Sequence, residues 1–306
     1  MPHPSVTART YPHKPAIVMG GSKVMVTYQE LDERSNQGAQ LFRSLGLARG
    51  DHIAMMMENT RQFLEICWAA QRAGLTFTPV STHLKRDEVL YIVQNCGARL
   101  FIGTQKLATV AEEIRAGGGG IEHFFMLNGI RPGFESWEES VDAQPVTPIA
   151  DQGNGMPMLY SSGTTGQPKG VRLTPAGDDV DTPHFLAGSL GQAFGFGEET
   201  VYLSPAPLYH AAPLHYCMMA LYQGGTVIVM EQFDPEQALA LIEEHRVTHS
   251  QWVPIMFIRM LKLPVEVRER YDLSSMQFAI HAAAPCPIET KEKMIEWWGP
   301  VIVEYY

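Results

Sequence analysis

Cysteine is scarce: the four in 306 residues, Cys67, Cys96, Cys217 and Cys286, are far apart and form no Cys-x-x-Cys pair. That excludes a disulfide framework and a thiolate zinc site, and a reduced, cytoplasmic setting is expected. Basic residues are in the minority, 23 Lys and Arg against 33 Asp and Glu for a net charge of -10, and they form no run that could track a phosphate backbone. No nucleic-acid partner is expected. Nowhere do about 18 apolar residues run together, as a membrane helix requires, and the segment from Met1 to Arg9 lacks the apolar core of a signal peptide. No integral membrane association is expected. Charged residues make up only 18% of the chain against 45% hydrophobic, the reverse of a disordered composition, so the chain can bury a sizeable core.

What is present is an alternation of helical and extended patterns. Thr27-x-x-Glu30 reads as a capping box, and Leu31, Phe42 and Leu45 continue it as an apolar stripe, which predicts a helix over 27–45. Short apolar runs at 52–57, 76–80, 99–103 and 123–127 predict strands, separated by helices near 61–73, 87–95 and 106–115. A second series follows, with strands at 201–204, 226–230, 248–252, 277–281 and 301–304 and helices near 211–222, 235–245, 254–261 and 287–298. The fold class is therefore α/β, with two mainly parallel βα sublobes. The Pro- and Gly-rich stretch 142–157 reads as a linker, which assigns 1–150 to a first sublobe and 151–306 to a second. The last strand runs into Tyr306 with no turn or cap after it, which reads as a fragment.

The densest chemical signal is Tyr160-Ser161-Ser162-Gly163-Thr164-Thr165-Gly166-Gln167-Pro168-Lys169-Gly170. Glycines let successive backbone N–H groups converge on an anion, hydroxyls add donors, and lysine adds a point charge, a combination suited to polyphosphate. A Walker loop is excluded because Pro168 precedes the lysine and Gly170 follows it. Neither a G-x-G-x-x-G after a strand nor a G-x-S-x-G elbow occurs, so dinucleotide oxidoreductases and α/β-hydrolases lose their signatures.

This stretch closely resembles the phosphate loop of the adenylate-forming enzymes, which include acyl-CoA synthetases, luciferases and peptide-synthetase adenylation domains. The resemblance runs through Thr27-Tyr28-x-Glu30-Leu31, Gly50-Asp51, Asn59, Ala73-Gly74, Pro79, Lys169-Gly170-Val171, Pro207-Leu208-Tyr209-His210, Gly224-Gly225, Val253-Pro254, Ala283-Ala284-Pro285 and Glu304-Tyr305-Tyr306. It implies an acyl-CoA synthetase-like N-terminal domain without the barrel subdomain and the small C-terminal domain. It also implies a two-step reaction, in which a carboxylate attacks the α-phosphate of Mg-ATP and a thiol then displaces AMP.

By position in the family's motifs, Ser161, Ser162, Gly163, Thr164, Thr165, Gly166 and Lys169 would cradle the β- and γ-phosphates. His210 would border the bound acid and the α-phosphate, and it shares the catalytic assignment with Lys169. Ala282, Ala283, Ala284 and Pro285 would lie along adenine, with Tyr305 and Tyr306 beside the base. The expected co-substrates are ATP with Mg2+, CoA and a small-molecule carboxylic acid; a homodimer is compatible with this reading. The family's magnesium glutamate, ribose aspartate and catalytic lysine would all follow Tyr306, so this stretch alone is expected to be inactive or nearly so. No acidic residue occurs between Glu199 and Glu231 to pair a substrate ammonium, which disfavours an amino acid. Ala211, Ala212, Pro213, Met218, Met219 and Trp252 suit a fatty or other apolar acid, or else simply the core. The rival readings are transfer to a carrier-protein thiol and a non-catalytic nucleotide- or acyl-binding module. His245-x-x-x-His249 invites a metal reading that lacks a third ligand, and no metal-binding residue is assigned; Trp297-Trp298 reads as packing at a helix end.

Overall fold

The alternating runs build two parallel-dominated sheets in the computed structural model, which describes residues 3–161, 167–174, 177–181 and 185–305. Seven strands make the first sheet, in the order Glu135–Ser136, His123–Leu127, Ala98–Thr104, His52–Met56, Thr76–Pro79, Met156–Ser161 and Lys169–Arg172. All neighbours are parallel except the last pair, which is an antiparallel hairpin. His52–Met56 is an interior strand, and Ile53, Ala54, Met55 and Met56 are all buried. This is why its sequence reads as a continuous apolar run and does not alternate.

The second sheet has the order Ile302–Glu304, Phe278–His281, His249–Trp252, Val201–Ser204, Thr226–Val229, Pro15–Met19 and Met25–Thr27. It too is parallel except for the hairpin at its last edge. Its core gathers Leu203, Ile228, Trp252, Phe257 and Trp298, with Trp252 and Trp298 edge to face at 5.6 Å. Trp298 therefore packs as expected of a helix end, and the half-buried Trp297 has the Arg268 guanidinium 5.4 Å above its ring.

Two compact units result. One comprises Met1–Pro12, Tyr28–His184 and Leu208–Ala211, and the other His13–Thr27, Phe185–Pro207 and Ala212–Tyr306. The change of sheet does not follow a cut at 150/151: residues 156–172 extend the first sheet, and the hairpin at 15–27 completes the second. The glycines of the expected linker serve close backbone contact. Gly155 N–H donates to Gln71 O at 2.7 Å, and a Cβ at Gly155 would stand 2.3 Å from Leu75 O. Beside the first sheet, helix Tyr28–Ser44 approaches helix Arg61–Arg72 so closely that a Cβ on Gly38 would lie 2.6 Å from Ala69 Cβ. No described helix is long and apolar enough to cross a membrane. Cys67, Cys96 and Cys217 are buried and Cys286 half-buried, none in a disulfide; burial pushes the Cys217 thiol up to about 12.

Candidate functional site

In open parallel sheets, ligands bind beyond the carboxyl ends of the strands, where connecting loops converge. In the first unit, strand His52–Met56 runs into Met57, Glu58 and Asn59. The buried Asn59 Oδ1 accepts a hydrogen bond from the backbone N–H of Leu208 at 2.8 Å. Glu58 accepts from Thr104 Oγ1 at 2.7 Å, which ties two neighbouring strand ends together. The tetrapeptide Leu208–Ala211, which the contact pattern assigns to the first unit although its chain neighbours belong to the second, is thus anchored at this edge.

Within it, Leu208 and Tyr209 are buried and His210 is exposed. The Tyr209 ring lies 4.6 Å from His210 and meets His83, from the loop after strand Thr76–Pro79, edge-on at 6.4 Å and 87°. Partial desolvation by its surroundings, with the like charge of His83 second, lowers the His210 pKa and favours the neutral imidazole. A neutral imidazole can both donate and accept a hydrogen bond.

Strand Met156–Ser161 is parallel to Thr76–Pro79, so Ser161 also lies at a carboxyl end of this sheet. Ser161 pairs directly with Lys169 across the antiparallel hairpin, so the two residues that flank the glycine- and hydroxyl-rich segment stand side by side. Both residues are exposed; Ser162, Gly163, Thr164, Thr165 and Gly166 lie outside the described residues. Gly170 leaves room for its neighbours just beyond Lys169, since a Cβ there would stand 2.3 Å from Met158 Cε and 2.9 Å from Tyr160 Cζ. The space lets Tyr160 lie across the hairpin and donate its hydroxyl to Asn95 Oδ1 at 2.5 Å; burial pushes its phenol pKa up.

In the second unit, the segment 282–285 leaves the carboxyl end of strand Phe278–His281, and Tyr305 leaves that of Ile302–Glu304. Tyr305 N–H donates to His281 O at 3.3 Å, so the two exits are adjacent. Ala282 is buried, whereas Ala283, Ala284 and Pro285 are exposed, and Ala283 takes a left-handed φ of 74°. Tyr305 is half-buried, 6.2 Å from the ring of Tyr216; Tyr306 lies outside the described residues. Below this turn the buried His281 has Nδ1 3.9 Å from Glu304 Oε1, and Glu304 also pairs with Lys291. Desolvation lowers the His281 pKa against the opposing pull of Glu304.

His249 is a structural residue of strand His249–Trp252: Nε2 lies 2.7 Å from Phe194 O, Nδ1 lies 2.8 Å from Thr248 Oγ1, and its ring stacks on Phe278. Trp252 belongs to the core, its indole N–H donating to Ser250 Oγ at 2.5 Å. In helix Ala211–Tyr222, Pro213 and Met219 are buried and Met218 is half-buried. Among the described residues, no group of three or more His, Cys, Asp or Glu could hold a metal. The structure thus brings Ser161, Lys169 and His210 to one sheet edge, and the 282–285 turn and Tyr305 to another. Sequence patterns gave no signal for His83, whose relation to His210 is made through Tyr209 across a gap of more than a hundred residues.

Residues 5–306 match the AMP-binding enzyme family. The chain belongs to that family. Among its AMP-binding relatives, a feruloyl-CoA synthase of Amycolatopsis is 30% identical over 291 residues, 94% of this chain and 55% of that protein. The long-chain-fatty-acid–CoA ligase FadD13 of Mycobacterium tuberculosis is 28% identical over 283 residues, 92% of this chain and 54% of that protein. The crystal structure of the N-terminal domain of FACL13 from Mycobacterium tuberculosis superposes with a TM-score of 0.85 at 26% identity, covering 100% of this chain and 76% of that one. The chain spans about half the length of the curated relatives it matches.

Proposed function

We propose that this chain carries the nucleotide- and acid-binding part of an AMP-forming acid–CoA ligase. The carrying observation is the direct pairing of Ser161 with Lys169, the residues that flank the hydroxyl- and glycine-rich segment, at the same sheet edge that holds His210. In the first half-reaction a carboxylate oxygen bonds to the α-phosphorus of ATP as the bond to pyrophosphate breaks. In the second, a thiolate attacks the acyl carbon and AMP leaves.

A carboxylate is a poor acyl donor until its oxygen becomes a good leaving group, and both steps move negative charge onto phosphate oxygens. Loop N–H groups and hydroxyls at 161–166, with the Lys169 ammonium, are suited to hold that charge on pyrophosphate. Magnesium enters with ATP as part of the co-substrate. His210, exposed and with its pKa lowered, would orient the carboxylate; the small residues Ala282, Ala283 and Ala284 with Pro285 would let adenine approach the backbone beside Tyr305 and Tyr306. The acid is an apolar one, fatty or aromatic. The acid-free stretch 200–230 supports this, as do relatives whose names specify long-chain fatty and feruloyl substrates.

The test is calorimetric titration with Mg-ATP, beside acid-dependent ATP–pyrophosphate exchange over short, long and aromatic acids and amino acids. Expected are Mg-ATP binding that Lys169→Ala together with Thr165→Ala weakens at least about tenfold, and any exchange confined to apolar acids. A folded chain that binds no Mg-ATP, or binds it equally well in the double variant, overturns the proposal.

A further inference from the structure

His83 has no part in the ligase reading above, yet its ring is held at the same sheet edge. Strand Thr76–Pro79 delivers it, and its imidazole stands edge-on to Tyr209 at 6.4 Å and 87°. Tyr209 is buried and in turn lies 4.6 Å from the His210 ring. The backbone of this tripeptide is pinned by the bond from Leu208 N–H to Asn59, so the freedom left to His210 is chiefly that of its side chain. The Tyr209 ring, tilted by 56° against that of His210, limits that freedom, and Tyr209 in turn meets the His83 ring in a T-shaped contact.

We propose that His83 is a positioning residue for His210, orienting it through Tyr209 so that its imidazole meets the reacting carboxylate in one geometry. This rests on the ligase reading. Charge supports the same pairing. Among the described residues His83 is the charged group whose field bears on His210, after desolvation, and it acts against protonation. Other charged groups that follow these strand ends in the chain are Glu58, which accepts from Thr104, Arg61, Lys85, Arg86 and Lys106, with Lys169 at the hairpin. Desolvation first and this like charge second favour the neutral His210 imidazole, which can donate to the carboxylate without forming a fixed ion pair.

The experiment compares wild type with His83→Phe, which keeps a ring edge but no charge, and His83→Ala, which keeps neither. The readout is the Hε1 resonance of His210, assigned with His210→Gln and followed over pH and through an octanoate titration. In both variants the His210 midpoint is expected to rise, because the like charge is gone. The His210 resonance position, set by the Tyr209 ring current, is expected to stay near wild type in His83→Phe and to move in His83→Ala. Octanoate should perturb it at several-fold higher concentration in His83→Ala only. An unchanged midpoint in both variants, identical behaviour of Phe and Ala, or a His210 resonance that octanoate never perturbs overturns the proposal. Mg-ATP binding, measured in the same samples, reports separately on the ligase reading, since its loss would leave the ligand-free His210 signals unchanged.

Discussion

Replacing Asn59 by Leu removes the side-chain amide while nearly conserving side-chain volume, and with it the acceptor that anchors the segment carrying His210. Asn59 Oδ1 accepts from Leu208 N–H at 2.8 Å, and both residues are buried, Asn59 at 6% exposure and Leu208 at 0%. Without the acceptor the amide is left in a site water does not reach, at a cost of about 1–3 kcal/mol. If the segment 208–211 relieves this by opening locally, the free energy of opening falls by that amount. Since each 1.4 kcal/mol is tenfold, hydrogen exchange at Leu208 should accelerate roughly 5- to 140-fold. The assay is amide exchange read by NMR or on peptides spanning 205–212, with the strand His52–Met56 as an internal standard. Local acceleration with an unchanged standard is the expected result, and global destabilisation would raise both. Unchanged exchange at Leu208, with a urea midpoint equal to wild type, would refute the claim that this bond holds the segment.

Three other outcomes follow from buried charge and backbone geometry. Arg72 is buried with its guanidinium on Asp32 Oδ1 at 2.6 Å, so Asp32→Ala should cost about 3 kcal/mol, the low end for a broken buried pair because Asp32 keeps some solvent. A loss below about 1 kcal/mol in urea unfolding would contradict it. Burial is the leading cause that lowers the pKa of His3, His249 and His281. The unfolded chain therefore binds protons near pH 6.5 that the folded one refuses, so stability is full above that pH and falls below it. The slope should reach up to about 1.4 kcal/mol per pH unit for each histidine fully protonated only in the unfolded state, and a flat urea midpoint between pH 5.5 and 7 would count against it. Ala283→Gly removes a side chain from a left-handed φ of 74° and should raise stability by up to about 1 kcal/mol, checked by thermal unfolding; a fall would show that the Ala283 methyl packs favourably.

Most of the parallel strands and their crossover helices were legible because their signals are local: an apolar run for a strand buried on both faces, and a periodic stripe for a helix. Helix Ala211–Tyr222 and strand His123–Leu127 fall at their expected positions, and most boundaries move by one residue or two. The edge pieces were not legible. Lys169–Arg172 is mostly exposed and contains Gly170, so it carries no apolar pattern, and its strand character comes from pairing with 158–161. Pro15–Met19 does carry an apolar run, but its assignment depends on a partner strand far along the chain. The loop at 161–170 stood out by residue types alone, whereas the pairing of Ser161 with Lys169 was not legible in them. Asn59 was visible as a motif position, whereas its bond to Leu208 spans 149 residues and leaves no periodic trace.

The placement of Pro15–Met19 beside Thr226–Val229 has a consequence for how the chain reaches its native state. Thr226 Oγ1 donates to the Pro15 carbonyl across 211 positions, so this edge of the second sheet waits until about three quarters of the 306 residues have been synthesised. Until then its exposed strand edge is a template for wrong pairings. Closing so long a loop makes slow, late-stage acquisition of structure the expected kinetics, dominated by non-local pairing. For the same reason neither unit is a contiguous stretch that can be excised: cutting at 184 strands the hairpin at 15–27 without its partner strand Thr226–Val229 and removes Leu208–Ala211 from the unit it completes.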